Sequence, residues 1–316
     1  MAKPILMAML PLYEPAMAAL EQEYELLRPW DAPDPTAFIR DNGLRVRGVV
    51  TTTSKGFLRE EFDAFPHVEV LACYGPYVTL VDLARARERG IPVSYTPDMT
   101  AEPVADLALG LMLATMRRLS EADRFVRAGL WPKQAFPAGR EVHHKRCGIV
   151  GMGRIGQQIA KRAAAFDMAV SYYGPRAKDG LPYTFVADLQ ELARKTDCLV
   201  VTCALTPQTR GLVDAAVLDA LGPDGFLVNI ARGPIVDEAA LVRALAEKRI
   251  AGAGLDVFAD EPHVPAELLA MDQVVLAPHI GTSTKENRDE RMRKMLANLR
   301  AHFTHAPVPY PVPETV

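Results

Sequence analysis

Three polar side chains stand where apolar runs end: Arg232 in LVNIARGPIVDE, Glu261 in AGAGLDVFADEP and His279 in VVLAPHIG. A guanidinium cannot shed its proton. Set between the apolar runs 227–231 and 234–236, Arg232 must reach water, pair with a carboxylate of the fold, or receive an anion. Histidine passes protons near neutral pH, and an acid beside it orients and charges it. An arginine for a carboxylate, a histidine for a proton and an acid for the histidine match a single task. Each residue also has a plainer reading: Arg232 pairs with Asp237, Glu261 caps the turn at Pro262, and His279 bonds to backbone in the core.

CGIVGMGRIGQQIAKRAAAF places Gly151, Gly153 and Gly156 in G-x-G-x-x-G spacing, directly after an apolar strand and before an amphipathic helix. The first glycine turns the chain, the second lets a pyrophosphate approach, and the third lets helix pack on strand. The helix N-terminus then offers free N–H groups to the phosphates. The loop Gly151, Met152, Gly153, Arg154, Ile155 and Gly156 is therefore read as a dinucleotide site. The next strand ends in SYYGPR, where Gly174 occupies the place of the acid that usually holds a ribose 2′-hydroxyl. No acid follows until Asp179, and Arg176 suits a 2′-phosphate. Gly174, Pro175 and Arg176 thus point to NADPH/NADP. NADH/NAD stays open if Arg176 is an ordinary solvated loop arginine.

Elements must position these groups. With 316 residues, 49% of them hydrophobic, the chain can fill two domains. From residue 5 to about 97, β-rich runs such as ILMAML, VRGVVTTT and VEVLACYG alternate with helical patterns. After the long apolar helix PVADLALGLMLATMRRL the rhythm restarts with RCGIVG, AVSYYG, CLVVTCAL, GFLVNIARG, AGAGLDVF and VVLAPHIG. This predicts an α/β protein with two Rossmann-like doubly wound parallel-sheet domains. A last helix, ENRDERMRKMLANLRAHF, precedes APVPYPVPETV, which is too rich in proline for helix. A net charge of −3 with mixed signs favours neither a nucleic-acid partner nor a membrane surface, and the apolar helix is too short to span a bilayer. Cys73, Cys147, Cys198 and Cys203 lack metal spacing or a disulfide framework, so no metal and a cytoplasmic setting are expected.

The motifs TPDMTAEPVADLALGL, GIVGMGRIGQQIA, NIARGPIVDEAAL, GAGLDVFADEP and APHIGTSTKENR occur in one order along nearly the whole chain. In them the sequence resembles the D-isomer-specific 2-hydroxyacid dehydrogenases, and within that family the glyoxylate, hydroxypyruvate and hydroxyphenylpyruvate reductases. The resemblance implies a discontinuous substrate domain, 1–97 plus 281–316, a dinucleotide-binding domain, 98–280, and an active site in the cleft between them. It also implies a homodimer formed with the long helix after Glu102. Arg232, Glu261 and His279 take the family's catalytic places, while Ile230 and Asp256 join the cofactor set, Asp256 beside the nicotinamide. The implied reaction is reduction of a small 2-oxoacid: Arg232 holds the carboxylate and polarises the carbonyl, and His279 gives the proton. Glu261 argues against formate chemistry, whose enzymes carry an amide there. Aryl-pyruvate reduction, or a dinucleotide-sensing protein-binding role, stays as an alternative.

One loop departs from the family. Relatives present Val-Gly, whose backbone N–H groups hold the substrate carboxylate, where this chain reads CYGPYVTLVD. Aligned without a gap, Pro76 and Tyr77 take those places, and proline has no N–H. With a two-residue insertion, Tyr74 and Gly75 would supply the donors instead. Both alignments stay open, so Tyr74, Gly75, Pro76 and Tyr77 are all carried as substrate-binding residues together with Arg232.

Overall fold

The computed structural model describes residues 3–97 and 101–315. Asp98, Met99 and Thr100 of the TPDMTAEP motif lie outside the described residues. In chain order the elements are β1 (Ile5–Ala8), α1 (Glu14–Glu23), β2 (Glu25–Leu27), α2 (Pro35–Asn42), β3 (Gly48–Thr52), α3 (Arg59–Ala64), β4 (Val70–Tyr74), α4 (Leu83–Glu88) and β5 (Val93–Ser94). Then come α5 (Ala101–Met116), α6 (Leu119–Arg127), β6 (Arg146–Val150), α7 (Arg154–Ala165), β7 (Ala169–Tyr173), β8 (Thr184–Phe185), α8 (Leu189–Arg194), β9 (Cys198–Val201) and α9 (Ala215–Leu221). The rest are β10 (Phe226–Asn229), α10 (Glu238–Ala246), β11 (Gly252–Leu255), α11 (Ala266–Leu269), β12 (Val274–Leu276) and α12 (Lys285–Phe303). Contacts divide the chain into two compact units, Met1–Met99 with Ser283–Val316, and Thr100–Thr282.

The first unit holds a five-stranded sheet in the order β2-β1-β3-β4-β5, every pair parallel. Its middle strands are almost wholly buried, which is why they read as unbroken Val-rich runs rather than alternating ones. One face packs around Phe57, Phe62 and Phe65, and the other is covered by α1 and by Met295, Leu296 and Leu299 of α12. The proline-rich tail runs extended beside β5: Tyr95 N–H donates to Tyr310 O at 3.1 Å and Val312 N–H to Val93 O at 2.8 Å. Prolines at alternate positions leave every second N–H free to pair, so the composition that forbids helix permits this edge.

The second unit is a seven-stranded parallel sheet in the order β12-β11-β10-β9-β6-β7-β8, with its chain reversal between β6 and β9. α5 packs against α7, β10 and β11, and Arg162 of α7 reaches back to Glu102 and Asp106, both at 2.6 Å. Aspartates open several helices. Asp188, Asp214 and Asp237 accept the N3 amides of α8, α9 and α10, caps that contribute about 1 kcal/mol each.

α5 stops at Met116, short of the Arg117, Arg118 and Leu119 expected to continue it, because Arg118 adopts a left-handed conformation (φ 57°) with its guanidinium on both oxygens of Glu121. From residue 117 to 141 no residue is buried. Leu119, Val126 and Trp131 are 53%, 53% and 70% exposed in this arm.

Candidate active site

The cofactor loop sits at the chain reversal of the second sheet, where open α/β sheets bind ligands. Gly151 follows β6 with φ 102°, a conformation L side chains avoid, and a Cβ there would lie 2.8 Å from the Cys203 backbone. Gly156 faces its own strand end so closely that a Cβ would come within 2.2 Å of Gly151 O. Gly153 differs, because a Cβ there would meet nothing within 4 Å, and it opens α7 with no side chain capping the helix. The result is an open helix N-terminus reached by bare backbone, which fits a dinucleotide pyrophosphate. Met152 and Ile230 are buried in the core beneath, so only their backbone can meet a cofactor. Ile155 is half-buried and Arg154 exposed at the start of α7. Beyond β7, Gly174 borders open space, and Pro175 and Arg176 are exposed; Arg176 has no ion-pair partner among the described residues.

Arg232, Asp256 and His279 follow the carboxyl ends of the adjacent strands β10, β11 and β12, and Glu261 lies five residues past Asp256. His279 Nδ1 donates to Glu261 Oε2 at 2.7 Å, while Glu261 Oε1 accepts the Phe258 N–H at 3.1 Å. The acid is thus held at one oxygen and holds the imidazole with the other, leaving Nε2 as the ring nitrogen without a partner among the described residues. The histidine is 47% exposed at its side chain and adopts φ 53°, a left-handed geometry that costs about 1–2 kcal/mol.

Asp256 accounts for that strained backbone. Its carboxylate, 1% exposed, accepts Ile280 N–H at 2.7 Å and Gly281 N–H at 2.9 Å, and its carbonyl accepts His279 N–H at 2.9 Å. Burial pushes the Asp256 carboxyl pKa up, and the two amides oppose the shift. Asn229 performs the matching task beneath Arg232. Its Oδ1 accepts Ala231 N–H at 3.1 Å and its Nδ2 donates to Arg232 O at 3.2 Å. In the sequence Asn229 shows only as a polar residue ending an otherwise apolar strand.

Arg232 itself is exposed rather than shielded as its apolar flanks suggest, since the flanking side chains point into the core while the turn after β10 turns its guanidinium outward. It donates only to Ala231 O, at 2.6 Å, and no carboxylate pairs with it among the described residues. Asp237 is occupied as the cap of α10.

In the first unit the loop after β4 is tied to itself. Gly75 N–H donates to Cys73 O at 2.9 Å, Tyr77 N–H to Thr53 Oγ1 at 3.4 Å, and Pro76 has no N–H. Tyr74 is buried, its hydroxyl donating to Arg288 O at 2.9 Å, and desolvation pushes its pKa up to about 12. The Tyr77 side chain is 46% exposed. Among the described residues no group of three or more His, Cys, Asp or Glu side chains could hold a metal ion, and no helix is long and apolar enough to cross a membrane.

The profile of the D-isomer specific 2-hydroxyacid dehydrogenase NAD binding domain matches residues 109–281. The chain is 44% identical over 285 residues to a glyoxylate/hydroxypyruvate reductase A of Arabidopsis thaliana, covering 90% of this chain and 91% of that one. It is 43% identical over 293 residues to a hydroxyphenylpyruvate reductase of Plectranthus scutellarioides, covering 93% and 94%. Among solved structures, the NADPH-dependent glyoxylate/hydroxypyruvate reductase of Sinorhizobium meliloti in complex with NADP and malonate superposes with a TM-score of 0.83 at 36% identity, over 99% of this chain and 98% of that one.

Proposed function

This chain belongs to the D-isomer-specific 2-hydroxyacid dehydrogenase family, and from that premise we propose that it reduces a small 2-oxoacid of the glyoxylate or hydroxypyruvate type to the D-2-hydroxyacid with NADPH. The observation that carries the reading is the Glu261–His279 pair, 2.7 Å apart at the carboxyl ends of the strands of an NAD-binding sheet. NADPH supplies the hydride. The Arg232 guanidinium, exposed and without a carboxylate partner among the described residues, holds the substrate carboxylate and polarises the carbonyl. As the carbonyl carbon gains the hydride, the oxygen takes a proton from His279 Nε2, and Glu261 steadies the imidazole through Nδ1. Gly151, Gly153, Gly156 and the start of α7 would hold the pyrophosphate, and Gly174 and Arg176 the 2′-phosphate. Asp256 is in this reading the support of the His279 loop as well as a neighbour of the nicotinamide. We assign 98–280 to dinucleotide binding and 1–97 with 281–316 to substrate binding, a division that the two compact units support.

Steady-state kinetics on the purified chain with glyoxylate, hydroxypyruvate and hydroxyphenylpyruvate tests the proposal. Reduction of the two small acids is expected, with NADPH preferred over NADH by roughly five- to a hundredfold, the value of one charge-assisted hydrogen bond. No turnover with any of them sinks the function; equal use of both cofactors sinks the reading of Arg176. Hydroxyphenylpyruvate as the best substrate would favour the aryl-pyruvate reading, which the 43% identical relative supports.

A homodimer is part of the same proposal, because the 117–141 arm buries nothing of its own and exposes Leu119, Val126 and Trp131. Sedimentation velocity is expected to give twice the 34.6 kDa of one chain; a monomer at micromolar concentration would refute it. The four unpaired thiols, three of them buried, support a cytoplasmic location.

A further inference from the structure

Arg291 lies in the second turn of α12, the helix packed along β4. Its guanidinium is half-buried, and its Nε is fully enclosed without a hydrogen-bond partner. No acceptor or carboxylate serves the other two nitrogens among the described residues, and these keep access to solvent. The groups close enough to act on it electrostatically are Tyr74, Cys73 and a second arginine, Arg288, and the one of them that is charged at neutral pH repels it. The acids beside it on α12 are taken: Asp289 binds Lys285 at 2.7 Å, and Glu290 pairs with Arg293. Burial lowers the Arg291 pKa, yet a guanidinium stays charged at any physiological pH. A partly buried cation without a counter-ion is unfavourable in the free protein and is repaid when an anion arrives.

The place is also defined. Tyr74 and Cys73 end β4, where the chain turns into the 75–77 loop. That loop has spent its donors, since the Gly75 and Tyr77 amides bond within the unit and Pro76 has none. An anion bound at this strand end therefore depends on a side chain. Resting on the 2-oxoacid reading above, we propose that Arg291 is the substrate-carboxylate anchor of the first unit, doing with a guanidinium what the loop backbone cannot. It is a specificity residue: it recognises the anion and takes no part in hydride or proton transfer.

Binding of oxamate, a carboxylate analogue of a 2-oxoacid, to the NADPH complex is the direct test, because it requires no turnover. Arg291→Met is expected to weaken oxamate roughly ten- to a hundredfold, as for loss of one charged hydrogen bond, and to raise KM for glyoxylate and hydroxypyruvate by a similar factor. NADPH affinity and kcat should stay close to wild type. Arg291→Lys, keeping the charge without the fork, should fall between. Unchanged oxamate affinity overturns the inference even when the wild type reduces 2-oxoacids. A KM increase confined to dicarboxylic 2-oxoacids also overturns it, by assigning Arg291 to a second anionic group. Equal losses in both variants, with lower melting temperature and weaker NADPH binding, would mark a packing role instead. Absence of wild-type turnover would refute the reaction while the oxamate comparison still decided Arg291.

Discussion

Replacing His279 by alanine is expected to slow turnover by about 10²–10⁴-fold, the usual worth of a positioned general acid, while leaving NADPH affinity unchanged. The selectivity of that loss follows from how the loop is held. The Asp256 carboxylate grips Ile280 and Gly281 N–H, and its carbonyl takes the amide of residue 279, all backbone contacts that the substitution spares. Only the imidazole and its bond to Glu261 Oε2 disappear. Glu261 keeps its second anchor at Phe258 N–H, so the acid stays in place. Turnover with glyoxylate and a fluorescence titration of NADPH check the two halves of the expectation. Turnover within about threefold of wild type would remove His279 from the chemistry. Lost NADPH binding would show instead that the side chain supports the cofactor.

The second large effect is expected far from any proton. Gly233 follows Arg232, and a Cβ there would lie 1.9 Å from both C and O of Phe258 and 2.4 Å from Ala259 N. All three atoms are backbone, so no rotamer change relieves the clash and one of the two turns must move. The Arg232 turn is fixed by Asn229, and the other by Phe258 N–H on Glu261 and Ala259 N–H on Glu238 at 3.1 Å. Gly233→Ala therefore displaces either the guanidinium or the acid that orients the histidine. Overpacking of this kind costs about 1–3 kcal/mol, and a shift near 1 Å in a reacting group costs about a hundredfold in rate. Differential scanning calorimetry should show a melting temperature lower by roughly 2–10 °C, and kcat/KM should fall about a hundredfold or more. A variant that melts and turns over like wild type would mean that the two turns slide freely, and that their contact does not position the site.

What the sequence by itself determined is the part of the protein written in adjacent residues. The glycine loop is legible because its three glycines, the apolar run before them and the helical period after them are contiguous, and each answers a steric demand of the next. The alternation of strands and helices follows from periodicity, and the aspartates that open α8, α9 and α10 lie three residues from the amides they cap. Arg232, Glu261 and His279 could be picked out because polar groups ending apolar strands are rare.

The tertiary structure decided everything that depends on which distant residues meet. Asp256 and Gly281 stand 25 positions apart, so no local pattern reveals that this carboxylate supports the histidine loop. The apolar flanks of Arg232 pointed to a shielded guanidinium, but neighbours in sequence alternate in direction, and the turn after β10 sends it to solvent. Tyr77 N–H finds Thr53 across 24 positions, which is why the spent donors of the 75–77 loop were invisible in YGPY. In the sequence Arg291 is one more charge in a helix of charges; only packing α12 against β4 buries its Nε, and no counter-ion pairs with it among the described residues. Burial and pairing are properties of three-dimensional neighbourhoods, and a linear order carries them only where the chain itself is the neighbour.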